Sequence, residues 1–321
     1  PGLVYPKILL SDPLGEEIVN GQYERIKELP GNHHSNIETY TSLSFATTSI
    51  RNSKGLLIEW DHTLFSSEAR LNKVLSKRLK SRRIPHKEEI ETLFRKITSM
   101  ESLIGRFTQC SKGLIKTLLI DRAADAFVTR LILTNLLGSN IVRGRSIYRR
   151  EDFEEKTAVG TSYYNVTIDT SIDFGVGSSP CSSDGMPSGR FQPVVKGRLI
   201  SPIVSLGSSH DLGFPPTPVP SSPEAVQFPL YSGSLNDMVS SLDRALVISE
   251  AMGLNTLDPL SGDYLIKPVC GLVVREGKLV GMTKCILSGN FFQALHDERF
   301  SCHSLEDGAR VLLLRSDLSP I

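Results

Sequence analysis

A mixed α/β chain of the α+β kind is predicted by two observations. Apolar residues recur at helical three- and four-residue steps before residue 137, whereas strand alternation and hairpin turns dominate after residue 156. The change of character near residue 155 divides the expectation into an N-terminal α/β domain, 1–155, and a C-terminal, β-rich mixed domain, 156–321. A length of 321 residues with 40% hydrophobic side chains suits one large core or two ordinary ones.

In order along the chain, Thr41 to Ile58 reads as two short strands about Arg51-Asn52-Ser53-Lys54-Gly55, whose Asn, Ser and Gly supply turn chemistry. From Ser67 to Arg83, Ala69, Leu71, Val74, Leu75 and Leu79 predict a helix that Pro85 ends, and a second helix spans Glu88 to Ile97. The apolar stretch Lys116 to Leu137 predicts a buried helix, with Gly138 at its C-terminal cap. Tyr163 to Ile172 alternates as a strand, Gly175 to Gly189 is loop, and Val194 to Leu206 is a hairpin about Gly197. Gly207 to Pro223, with five prolines and four serines, predicts a surface loop. Ser234 caps a helix whose stripe runs from Leu235 to Ser249, with Gly253 as its stop. Tyr264 to Ile286 then folds as a hairpin about Arg275-Glu276-Gly277-Lys278.

Charge and cysteine usage narrow the setting. Residues 1–150 hold 24 Lys+Arg and 15 Asp+Glu, the remainder 12 and 20, so the net +1 hides halves of opposite sign that attract each other within a chain or across a pair. Five widely spaced cysteines without a C-x-x-C pair suit a reduced, cytoplasmic protein. No apolar run reaches the roughly 20 residues of a membrane-spanning helix, and Pro1 to Leu10 has no secretory-signal pattern.

No self-sufficient catalytic motif is present. G-x-S-x-G, the phosphate loop, the dinucleotide fingerprint and H-E-x-x-H are all missing. Two clusters carry candidate chemistry. His296, Cys302 and His303 are zinc-ligand types at steps that could meet at a helix end, against the simpler reading of a helix turning to solvent. Lys73, Lys77, Arg78, Lys80, Arg82 and Arg83 could present a phosphate-binding face on the first helix, against the simpler reading of a solvated face with no aromatic residues for base stacking. The adjacent His33 and His34 read as solvated loop residues.

An ordered series of short motifs adds to this reading. Asn52-Ser53-Lys54-Gly55, Asp184-Gly185-Met186-Pro187 with Arg190 and Gly197-Arg198-Leu199, Ser232-Gly233-Ser234-Leu235-Asn236-Asp237-Met238, and Ser261-Gly262-Asp263-Tyr264 through Gly271-to-Lys278 to Leu287-Ser288-Gly289-Asn290 follow one another between about residues 40 and 300. The series resembles the TldD/PmbA family of peptidase-related proteins, also called modulators of DNA gyrase, and most of all its PmbA (TldE) branch. The resemblance implies a TldD/PmbA-type α+β fold and a cytoplasmic protein that dimerises with a TldD-like zinc peptidase acting on unfolded or modified peptides, or with itself. In that partner zinc rests on H-E-x-x-x-H and a cysteine. This chain has no H-E-x-x-x-H, and Pro268 stands near the cysteine's position with Cys270 two residues on. The resemblance therefore implies a subunit with no catalytic residue, metal or cofactor of its own, the zinc belonging to the partner. Asp184, Gly185, Arg190, Asp263 and Asn290 are its candidate cleft-shaping residues, and extended strands near Tyr264 to Ile286 are candidates for holding a peptide by backbone hydrogen bonds. A self-sufficient metallopeptidase using His296, Cys302 and His303, and a nucleic-acid-binding protein using residues 73–83, remain as alternatives.

Overall fold

The computed structural model describes residues 7–11, 37–306 and 308–321; His33 and His34 lie outside them. Three strands, β1 (Ile37–Arg51), β2 (Leu57–Leu71) and β3 (Leu75–Ser81), form an antiparallel sheet in that order. The β1–β2 ladder runs from Ile37 opposite Leu71 to Arg51 opposite Leu57 without a register shift. Its turn is the expected one, and the Asn52 side-chain oxygen accepts the Lys54 and Leu56 N–H groups at 2.9 and 3.0 Å.

The helix expected over Ser67 to Arg83 is instead the second hairpin of this sheet. Phe65, Ser67, Ala69 and Leu71 are all buried at period two, the spacing of one strand face. The apolar set also fits three- and four-residue steps, and Asn72-Lys73 decides between the periods. Both residues take positive φ (52° and 58°), as a two-residue hairpin turn requires, and Asn tolerates that region best among residues with a Cβ.

Helix α1 (Lys87–Thr98) matches expectation and buries Ile90, Leu93, Phe94 and Ile97. Next comes a second correction. Lys116 to Leu137 is not one helix: β4 (Gly113–Leu119) precedes α2 (Asp121–Phe127), which continues through a π-helical stretch, Val128–Leu133, and a last α-turn, Thr134–Leu136. A strand buried on both faces reads as an unbroken apolar run and mimics a buried helix. Gly138 does not cap this helix but opens α3 (Gly138–Val142). A Cβ there would lie 2.8 Å from Leu212 Cδ1 and 3.0 Å from the Ile203 carbonyl oxygen, so glycine is needed for close approach.

After α4 (Arg150–Glu154), strands β5 (Val166–Asp169), β6 (Arg190–Val195), β7 (Arg198–Leu199) and β8 (Val226–Gln227) form a sheet ordered β7-β6-β5-β8. The proline- and serine-rich stretch is ordered and begins with α5 (Leu206–Leu212). Helix α6 (Leu235–Ser240) starts at its Ser234 cap as expected but ends nine residues before Ser249, since the Ser240 and Ser241 hydroxyls take the Asp237 and Met238 carbonyls. The rest of the expected stripe is β9 (Arg244–Ile248), and Gly253 lies beyond the short β10 (Ala251–Met252).

The remaining strands are β11 (Asp263–Pro268), β12 (Gly271–Arg275), β13 (Lys278–Thr283), β14 (Cys285–Asn290), β15 (Ser301–Ser304) and β16 (Arg310–Pro320), with the short α7 (Phe291–Ala294) after β14. The hairpin about Glu276-Gly277 is β12–β13, whereas Tyr264 to Pro268 belongs to β11, which pairs with β10 and β14. The sheet runs β10-β11-β14-β16-β4-β9-β12-β13, with β15 added on β16. Strand β4 lies in its middle, antiparallel to β16 and parallel to β9. A boundary at residue 155 would therefore separate a central strand from its neighbours. Ile115 and Leu119 of β4 join the core under α2, while Leu118 and Ile120 join the core shared with α1, α6 and the inner face of the three-stranded sheet.

Ion pairs join that small sheet to the large one. Glu68 on β2, only 8% exposed, receives Arg70 at 2.6 Å, Arg78 at 3.0 Å and Arg122 of α2 at 2.9 Å, and Arg122 also meets Glu250 at 3.2 Å. Burial alone pushes the Glu68 carboxyl upward, but hydrogen bonds from Arg70 and Arg78 and the Arg122 charge outweigh it and hold the group at about 2. Because the folded value lies below the unfolded one, the stabilisation is complete above about pH 4.5 and disappears as pH falls toward 2, amounting to about 3 kcal/mol at most. Glu68→Gln is expected to cost about 2–3 kcal/mol at neutral pH and to flatten the urea-midpoint loss between about pH 4.5 and 2. Urea titrations of both proteins across that range check it; parallel profiles would refute the assignment.

Candidate functional site

The candidate residues fall into two groups. Asp263 and Asn290 stand opposite each other at the end of the β11–β14 ladder. The Asn290 amide donates to Asp263 Oδ1 and to the Ser261 carbonyl, each at 2.7 Å, and its Oδ1 accepts the Gln293 N–H at 3.0 Å, which caps α7. Gly262, at φ 75°, lets the chain pass the Phe292 ring, where a Cβ would approach Cδ2 to 2.4 Å. Beneath this corner, Phe291 packs edge-to-face on Phe127 at 5.7 Å and Phe300 at 6.0 Å, fixing the hairpin end against α2.

Asp184 and Gly185 sit in the tight loop between Cys181 and Pro187. The Ser182 hydroxyl donates to Asp184 Oδ1, and Oδ2 accepts the N–H of Leu206, the first residue of α5, at 2.6 Å. A carboxylate there complements the positive helix end. Gly185, at φ 81°, faces the tip of the β1–β2 hairpin: a Cβ would come within 2.6 Å of Leu56 Cδ2. Arg190 begins β6, mostly exposed, 4.0 Å from Asp169 of β5. Among the described residues no hydrogen bond or ion pair joins Asp184 or Arg190 to Asp263 or Asn290.

The possible zinc ligands do not converge. Cys302 and His303 are neighbours on β15, so their side chains leave opposite faces. The Cys302 thiol is buried, lies 4.0 Å from the Asn165 carbonyl, and is pushed up to about 12 by burial, the reverse of a thiolate ligand's environment. His303 packs at a tilt of 58° against Tyr231, ring centres 5.5 Å apart, on the wall of a surface depression of about 480 Å³ that Tyr163 and Glu298 also line. Burial lowers its basicity. His296 is exposed beyond α7. Cys270, buried with its thiol raised to about 11, is no better placed. Among the described residues no three His, Cys, Asp or Glu side chains are arranged to hold a metal ion. The described residues do not form a zinc site.

The strands expected to hold a peptide are already paired over much of their length, although β10 covers β11 only at Lys267 and Pro268. Strand β12 lies between β9 and β13, and β11 between β10 and β14. The outer edge of β13 exchanges hydrogen bonds with residues 106–108: Met282 N–H to the Arg106 carbonyl at 2.9 Å and Thr108 N–H to the Met282 carbonyl at 2.8 Å.

Comparison with known proteins follows this architecture. Residues 112–304, more than half of the chain, match the family described as PmbA/TldA metallopeptidase C-terminal domain. The chain belongs to this family. No curated protein matches it. Among solved structures, a candidate modulator of DNA gyrase from Thermotoga maritima is 15% identical at TM-score 0.77 over 99% of this chain and 78% of its own. One of the same description from Bacteroides thetaiotaomicron is 14% identical at 0.74 over 98% and 75%. TldE from Thermococcus kodakarensis is 12% identical at 0.69 over 100% and 79%. The expected fold is thereby shown.

In this PmbA/TldA-family chain the basic run is spent internally. Lys77 pairs with Asp121 at 2.7 Å, Lys80 with Glu224, Arg83 with Glu89 at 2.9 Å, and Lys73 with Glu38 at 3.5 Å. Arg78 serves Glu68, and the Arg82 guanidinium donates to the Gly175, Val176 and Ser178 carbonyls at 3.1 Å. The helical phosphate-binding face does not exist, because the segment is a strand. Among the described residues no helix is long and apolar enough to cross a membrane.

Replacing Asn290 by Ala removes a helix cap and leaves the Ser261 carbonyl and Asp263 without their donor, with an expected cost of about 1–3 kcal/mol. Thermal unfolding checks the magnitude. An unchanged midpoint would mean that the corner is not held by this amide.

Proposed function

We propose that this chain is a TldE-like, non-hydrolytic subunit that pairs with a TldD-like zinc peptidase and helps enclose the cleft in which unfolded or modified peptides are cut. The reading is carried by one observation: a member of a metallopeptidase family whose histidines and cysteines, among the described residues, do not meet. Cys302 and His303 leave opposite faces of one strand, and zinc hydrolysis needs three protein ligands with an open fourth position. The chemistry therefore comes from a partner carrying H-E-x-x-x-H. Membership of the family and the TldE structural neighbour support the assignment.

Two arrangements suit a wall of such a cleft. The Asp263–Asn290 corner and the Asp184–Gly185 loop are both held by internal hydrogen bonds, so they offer fixed surfaces without ordering on contact. With β12 paired on both sides, peptide contact falls to these corners and to Arg190, whose exposed guanidinium suits a carboxylate or peptide carbonyl. Five free, buried cysteines suit a reducing, cytoplasmic compartment.

The test is to purify the chain alone and together with an H-E-x-x-x-H relative, then assay hydrolysis of an unfolded protein with and without a chelator. Activity is expected only in the mixture, to be lost on chelation, and to survive His296→Ala, Cys302→Ala and His303→Ala here. Hydrolysis by the isolated chain that a chelator abolishes would overturn the reading.

A further inference from the structure

The depression beside His303 is lined from the loop Ser162 to Asn165, from Pro229 and from Glu298 to His303, none of which takes part in the two corners described above. Its volume of about 480 Å³ lies within the roughly 300–1,000 Å³ of small-molecule sites. None of its lining residues belongs to the elements that border residues 12–36, since Leu10 accepts the N–H of Thr63 on β2 and Ile37 lies opposite Leu71.

Its walls are set by bonds within the chain. The Asn165 amide donates to the Ser162 and Tyr163 carbonyls at 3.5 and 3.2 Å, and its Oδ1 accepts the Lys196 N–H at 2.8 Å, which holds the loop that presents Tyr163. On the other segment, Asp297 accepts the Arg299 N–H with its Oδ1 and the Phe300 N–H with its carbonyl, each at 2.9 Å. Phe300 packs edge-on against Tyr164 at 5.9 Å and so ties the two segments together. A site built in advance spends little of its binding energy on ordering.

Three features define what this space takes. The Tyr163 side chain, 67% exposed, offers an aromatic surface that a second ring covers well. His303, braced by Tyr231, has its Nδ1 buried without a hydrogen-bond partner. Burial outweighs the Pro229 carbonyl, which favours a proton on the ring, so the imidazole is neutral at pH 7, with one donor and one acceptor nitrogen. A phenol hydroxyl both donates and accepts, and therefore suits either tautomer. Glu298 and Arg299, both exposed, then give the rim one charge of each sign, the complement of an α-ammonium and an α-carboxylate. A phosphate is disfavoured, because Arg299 is the only cation among the described lining residues and Glu298 adjoins it.

The geometry points to a binding site for a free amino acid with a phenol side chain, its ring against Tyr163, its hydroxyl on His303 and its charged ends on Glu298 and Arg299. The site is independent of the peptidase reading: its failure leaves pairing with a metal-bearing relative standing, and the reverse holds.

The probe is L-tyrosine, measured by equilibrium dialysis against the whole chain at pH 7, with L-phenylalanine and tyramine as comparisons. L-Tyrosine is expected to bind with a Kd below about 1 mM. L-Phenylalanine, without the hydroxyl, should bind about fivefold more weakly, and tyramine, without the carboxylate, at least about fivefold more weakly. His303→Phe keeps an aromatic ring against Tyr231 and should erase the preference for tyrosine over phenylalanine. Arg299→Gln, at an exposed position where folding is not at stake, should erase the preference over tyramine. Circular dichroism checks that both variants fold. No binding of L-tyrosine up to about 1 mM would overturn the site. So would equal affinities for the three probes, or a preference over tyramine that Arg299→Gln leaves unchanged.

Discussion

Strand β4 is the constraint on which the rest of the fold rests. It supplies Ile115 and Leu119 to one apolar layer and Leu118, joined by Ile120 just past its end, to the other, and its two edges are taken by β16 and β9. Each of those four side chains is at most 3% exposed. Full burial of four such residues contributes on the order of 6–12 kcal/mol, comparable with the net stability of a whole domain. Because β4 comes from the first half of the sequence and its neighbours from the second, the halves cannot separate without opening that interior. The opposite charge of the halves has the same consequence at the surface. Lys80 meets Glu224 and Arg122 meets Glu250, so two cations of the first half are matched by anions of the second within the chain.

What the sequence revealed of the fold depended on where local chemistry is unambiguous. Turn residues were legible: Asn52 with Gly55, Lys196 with Gly197 and Glu276 with Gly277 mark real reversals, each with a residue at positive φ. The Ser234 cap and the stripe of α1 were legible because a capping serine has a local signature and Ile90, Leu93, Phe94 and Ile97 form one apolar stripe between charged residues. The misreadings have two causes: Ala69, Leu71 and Leu75 lie on two strands that join through a turn at helix-like spacing, whereas Leu118 to Ile120 and Ala245 to Ile248 are covered on both faces and lose their alternation. The decisive signals were single residues: Asn72 at a two-residue turn, Asp121 at positive φ between β4 and α2, and the paired serines that end α6.

The candidate site was legible only as far as its corners. The S-G-D and S-G-N segments marked Asp263 and Asn290, which prove to be hydrogen-bonded to each other, and D-G-M-P marked the loop that seats α5. Their separation into two groups could not be read, because it depends on β5 to β8 forming a sheet of their own and not joining the one that holds β11 and β14. The opposition of Cys302 and His303 was accessible in principle, since adjacent residues on a strand diverge. It became usable only once residues 301–304 were known to be a strand rather than a helix end.

A fold held in common at 12–15% identity shows how little of a sequence the architecture requires. What must persist is the apolar run of each covered strand, the residues tolerating positive φ at each reversal, and glycine where backbones touch, as at Gly138. None of these is a catalytic demand. Ligand geometry is far less tolerant: a one-residue shift along a strand turns a donor from one face to the other. Scaffold and ligand set are therefore under separate demands, so what a chain of this fold does is decided by where its donors point as well as by the family to which its sheets belong.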